Sequence, residues 1–145
     1  MALQPQKFRE IVLQLLYSQD FAPLDSKESI PFMMHELKVT KRVMLDVHAR
    51  IDKILEKYSE IDHLLETIST SYSFERISRV EKTILRLGAF EMLHDEAIPE
   101  KVAIAEAIRL SRKFGTPESA HFVNAILDAI YKRTNADVSN EPAPV

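Results

Sequence analysis

Two glycines in 145 residues, Gly88 and Gly115, restrict what this chain can become more than any other feature of it. Loops that cradle phosphate, of the Walker or dinucleotide-binding kind, need two or three glycines close together, and these two stand far apart. With so little glycine and so much Leu, Ile, Ala, Glu and Lys, helix is favoured over sheet. Apolar residues make up 46% and charged residues 28%, the balance of one globular domain with its own core rather than of a disordered chain. The absence of cysteine excludes disulfides, thiol catalysis and thiolate zinc sites. No run approaches the ~18 apolar residues that cross a bilayer. The first ten residues, MALQPQKFRE, lack the apolar stretch of a signal peptide, so a cytoplasmic location is expected.

Hydrophobic periodicity predicts an all-α fold of about seven helices. The first runs from Pro5 to Asp20, with Phe8, Ile11, Val12, Leu15 and Leu16 on one face. A second covers Ser26 to Leu37, and a third covers Thr40 to Tyr58 with the stripe Val43, Val47, Ile51, Ile54 and Leu55. Ser59 is expected to cap a fourth, which turns Ile61, Leu64, Leu65 and Ile68 inward, before a hydroxyl-rich loop over Ser69–Ser73. Ser78 and Glu81 match a capping box at the head of a fifth helix that reaches His94. This fifth helix is apolar almost all round, as expected of the centre of a bundle, and Gly88 within it predicts close approach of a neighbouring helix.

Pro99 opens a sixth helix with the stripe Val102, Ala103, Ala105 or Glu106, Ile108 and Leu110. Gly115 is expected in the left-handed conformation past its end. Thr116, Pro117 and Glu118 then cap and start a seventh, running to about Arg133. Residues 1–133 read as the domain, and the polar tail 134–145 as disordered.

Catalytic chemistry finds little support. No two of the five histidines stand at i+3 or i+4, so no single helix offers a metal site, and none is assigned. Glu81 and Glu91 share the apolar arc of the fifth helix but lie ~15 Å apart along its axis. A pair of carboxylates acting on one glycosidic bond needs less than ~10 Å. Glu81 reads either as a cap or as a carboxylate open to a partner, and Glu91 as a structural hydrogen-bond acceptor.

Charge and aromatic rings carry more information. Between Arg109 and Arg133 five basic residues face two acidic ones, a local excess in a chain of net charge −3. Lys7 and Arg9 add to it from the first helix. Such a run is usually a solvated face. Here rings are interleaved with it, at Tyr17, Phe114, Phe122 and Tyr131, the combination by which single-stranded nucleic acid is held. In the seventh helix Phe122, Val123, Ile126, Leu127 and Ile130 form one arc, with Asn124 and His121 at its two edges. From spacing, Phe122 is either core or a stacking ring, and Asn124 is expected to bond a neighbouring backbone.

The segments LRLGAFEML and IPEKVAIAEAIRLSRKFGTPESAHFVNAILDAI, together with REIVLQLLYSQD, resemble the NusB family of bacterial transcription antitermination factors. The resemblance spans about Lys7 to Arg133 and is weakest between Phe21 and Ser71. It implies two packed helical subdomains, no catalysis and no cofactor. It further implies binding of boxA RNA jointly with NusE, a small-subunit ribosomal protein, in a complex with RNA polymerase, NusA and NusG that reads through ribosomal RNA operons. Carried onto this chain, it makes Lys7, Arg9, Tyr17, Arg86, His121 and Phe122 RNA-binding residues, and Glu75, Arg76, Glu81 and Lys82 partner-binding ones.

The chain also departs from the family's pattern. Gln4, Pro5 and Gln6 stand where the family often carries arginines, Tyr72 replaces a common Trp, and Ala105 and Ala125 replace a usual Asn and Gly. These changes bear on RNA affinity more than on fold. The competing reading is a helical interaction module, or a homodimer burying the same basic face, without a direct RNA role. A cytosine methyltransferase of the kind fused to such domains would need a cofactor-binding half, which two isolated glycines do not supply.

Overall fold

The computed structural model describes residues 3–19, 34–69 and 77–139, with side chains through residue 135. Among the described residues it contains helices and no strand: α1 (Pro5–Gln19), α2 (Lys41–Glu56), α3 (Tyr58–Ile68), α4 (Arg79–His94), α5 (Glu100–Phe114) and α6 (Pro117–Ser139). A helical turn over residues 34–37 falls at the end of the helix expected from Ser26 to Leu37. The rest of that helix, and residues 70–73 of the expected loop, lie outside the described residues. The chain divides into two compact units, Met1–Tyr58 and Ser59–Val145.

In the first unit α1 packs against α2. Ile11, Val12, Leu15 and Leu16 are buried as the periodicity predicts, whereas on α2 the buried stripe is Met44, Val47, Ile51 and Ile54, with Leu55 turned outward. The Thr40 hydroxyl caps α2, accepting the Val43 N–H at 3.2 Å. Ahead of it, Lys38 adopts a left-handed backbone (φ 55°) and the Val39 N–H reaches back to the Met34 carbonyl at 3.2 Å. That is the closure glycine usually provides at a helix end, made here with a lysine. Ser59 does not cap the next helix as expected. Lys57 alone breaks the helical path at φ −103°, ψ 3°, so that α3 resumes at Tyr58 and Ser59 falls inside its first turn.

The second unit is built on α4, which packs against both α5 and α6 while those two pack against each other. Thr83, Ile84, Leu85, Leu87, Ala89, Phe90 and Met92 of α4 are all buried, the all-round burial expected of a central helix. Gly88 faces both neighbouring helices at close range. A Cβ there would stand 2.9 Å from Leu127 Cδ1 on α6 and 3.3 Å from Ala107 Cβ on α5. The buried stripe of α5 accordingly uses small residues, Ala103, Ala107 and Ser111, together with Leu110, while Val102 is 44% exposed. Ala103 and Leu110 are buried as expected, while Ala107 and Ser111 take the places expected of Val102 and Ile108. α3 is fastened to α4 by a two-bond fork from Arg86 to Asp62, at 2.8 and 2.9 Å. Glu91, 4% exposed, is buried within α4. α6 continues to Ser139, past the expected end near Arg133, because no proline or glycine interrupts residues 134–139.

Candidate functional site

The corner between α5 and α6 gathers the unusual residues of the second unit. Gly115 is not left-handed, contrary to expectation: its φ is −116°, and its N–H continues the helical ladder to the Ser111 carbonyl at 2.8 Å. Glycine is needed there for room. A Cβ would lie 2.9 Å from the Ser111 carbonyl oxygen and 3.1 Å from both Cβ and Oγ of Ser119. The chain therefore turns from one helix directly onto the first turn of the next.

Hydroxyl groups lock that turn. Thr116 Oγ1 accepts the Ser119 N–H at 3.1 Å, the expected cap. Ser119, only 4% exposed, donates its hydroxyl to Glu81 Oε1 on α4 at 3.0 Å. With that proton committed, the 3.1 Å contact between the two hydroxyls has Thr116 donating to Ser119. Ser78 Oγ accepts the Glu81 N–H at 3.2 Å, so one half of the expected capping box is present. The Glu81 carboxylate serves Ser119 in place of the other half. The first turns of α4 and α6 are thus joined through Glu81, and the direction of α6 is set by this chain of bonds.

So held, α6 leaves His121 and Asn124 exposed, Phe122 half-buried and Val123 buried. Among the described residues Asn124 makes no backbone hydrogen bond of the kind expected. It lines an open groove of about 490 Å³ together with Ile108 and Arg112 of α5 and Pro117, Ala120 and His121 of α6.

The basic cluster read from the sequence is largely engaged within itself. Arg109 pairs with Glu106 one turn earlier on α5. Lys113 Nζ lies 5.8 Å from the centre of the Phe114 ring, and Lys132 bonds Asp128 at 2.9 Å. Arg112 is exposed, lines the groove and makes no ion pair with any described residue. Sequence reasoning placed it in the cluster but did not single it out, since only the packing of α5 on α6 shows which cation faces His121.

The remaining expected site residues are dispersed. On α1, in the first unit, Lys7 is exposed and Tyr17 half-buried, while Arg9 is buried at 8% exposure and has partners within the protein. In the second unit Arg86 is held by Asp62, and Lys82 is half-buried with a partner. Glu75 and Arg76 lie outside the described residues. Among the described residues no group of acidic or histidine side chains is placed to hold a metal ion. No described helix is long and apolar enough to cross a membrane.

Comparison with known proteins places this arrangement in a family. The model of the NusB family matches residues 6–132. The transcription antitermination protein NusB of Chlamydia pneumoniae is 38% identical over 126 residues, covering 87% of this chain and 79% of that protein. Among solved structures, T. maritima NusB is 32% identical, with a TM-score of 0.75 over 91% of this chain and 93% of that one. A chain from the crystal structure of the antitermination factors NusB and NusE with double-stranded RNA shares the fold at 24% identity, with a TM-score of 0.74 over 88% of this chain and 96% of that one.

Proposed function

The chain belongs to the NusB family, and we propose on that premise that it is a transcription antitermination factor, acting by binding RNA together with a protein partner. The observation that carries this reading is the match over residues 6–132, which includes α4, α5 and the first four turns of α6 that form the corner. The RNA is a boxA-type single strand and the partner is NusE. The assembly works with RNA polymerase, NusA and NusG to sustain read-through of ribosomal RNA operons. The protein is cytoplasmic and acts as a non-catalytic adaptor.

The site geometry suggests a division of labour. Lys7, His121 and Phe122 are accessible enough to meet RNA, with Tyr17 beside them in role as a stacking ring. Arg9, which has a partner inside the protein, and Arg86, tied to Asp62 on α3, complete the RNA-binding set as side chains already held in place. Glu81 and Lys82 mark the partner side, together with Glu75 and Arg76.

Few exposed cations on α1 imply weak binding by the chain alone. A partner that extends the site then raises affinity through linkage. Labelled boxA RNA is expected to bind much more tightly to the chain plus NusE than to the chain alone at matched salt. Equal affinity in the two titrations contradicts the reading, and sedimentation of the chain as a dimer that ignores RNA favours the interaction module.

A further inference from the structure

We propose that the groove between α5 and α6 is a nucleotide subsite, taking one base of single-stranded RNA on its apolar floor and the adjoining phosphate at Arg112. The proposal rests on the RNA-binding reading above and assigns to it two residues, Arg112 and Asn124, that the family resemblance did not.

Ile108, Pro117 and Ala120 give the groove an apolar floor on which the face of a base can leave water. His121, on the same wall of α6 and exposed, offers an imidazole plane for stacking. Asn124 presents a carboxamide, a donor and an acceptor side by side, which is the pattern that bonds a base edge through two hydrogen bonds. Among the described residues Arg112 is the permanent charge in the lining, and none of the lining residues is acidic. Its neighbours Arg109 and Lys113 are engaged with Glu106 and the Phe114 ring, whereas Arg112 has no ion pair among the described residues. The lining therefore suits a flat, half-apolar ligand that carries hydrogen-bonding edges and an attached anion. About 490 Å³ is enough for one nucleotide and too little for a folded element of a protein. The Ser119–Glu81 bond and the Thr116 cap hold this wall in place before any ligand arrives.

The test uses the full chain with NusE, labelled boxA RNA, and a panel of RNAs each changed at one base. Asn124 and Arg112 are both exposed, so Asn124→Ala and Arg112→Gln should melt with the parent protein. Asn124→Ala is expected to lose about tenfold in affinity for boxA and to become indifferent to the base at one position. Arg112→Gln is expected to weaken all the RNAs alike and to flatten the salt dependence by the share of one phosphate contact, about 0.7 in log–log slope. The proposal is overturned if Asn124→Ala keeps the parent's base preference at every position. It is equally overturned if both variants bind RNA normally alone and lose only the gain from NusE, which would make the groove a protein-docking surface. A parent chain that binds no RNA with NusE overturns the subsite and the underlying functional reading together.

Discussion

At the scale of single residues, the backbone strain and the hydrogen-bonding groups do not fall where residue type suggests. Among the described residues the left-handed position is Lys38, and neither glycine has a positive φ. Replacing Lys38 by glycine should therefore raise stability by about 1 kcal/mol, measured as a shift in thermal or denaturant midpoint. An unchanged or lowered midpoint would place Lys38 in a contact worth more than its backbone strain.

Phe122 makes the opposite kind of case. It is half-buried at the edge of the α6 arc, beside the fully buried Val123 and Leu127. Phe122→Ala should weaken RNA binding while losing less than the ~3–5 kcal/mol typical of a core Phe→Ala change. A full core-sized loss of stability would make Phe122 a packing residue. The Ser78 and Thr116 caps were readable from the sequence because a cap is a local event, decided within four residues. The Arg86–Asp62 fork and the Ser119–Glu81 bond were not, because they join residues 24 and 38 positions apart, which no periodicity connects.

At the scale of elements, α4 is the helix on which the second unit depends, and Gly88 sets how closely α5 and α6 can approach it. Gly88→Leu should cost about 3 kcal/mol by forcing apart Leu127 and Ala107, measured by denaturant unfolding. A near-neutral result would mean that the three helices can separate without penalty. Here the sequence was only partly legible. The all-round apolar character of α4 showed its central place, and a glycine inside a helix signalled close approach. The facing surface of α5 was read in part: Ala103 and Leu110 are buried as expected, whereas Ala107 and Ser111, of weak hydropathy, were missed although they line the close approach. Gly115 misled for a related reason. Its requirement is space beside Ser119 on the next helix, and a helix-stop signal looks the same whether glycine is needed for handedness or for room.

At the scale of the whole molecule, the residues proposed to meet RNA fall in both helical units. The first carries Lys7 and Tyr17 on α1, and the second carries the α5–α6 corner with His121, Phe122 and the groove. The helical class and the family were legible from the sequence, the first from scarce glycine and steady 3.6-residue periodicity, the second from the C-terminal block. The candidate site was legible as a neighbourhood and not as a set of contacts. Charge counting found the basic cluster, but only packing shows that Arg109, Lys113 and Lys132 have intramolecular partners while Arg112 borders the groove. In the proposed function this protein lets RNA polymerase pass terminators by recognising boxA with NusE. The most direct measurement is reconstituted transcription through a terminator downstream of boxA, with polymerase, NusA, NusG and NusE, with and without this chain. Read-through should rise when the chain is added to the boxA template and stay at the basal level on a scrambled one. An equal yield with and without the chain on the boxA template would contradict the account.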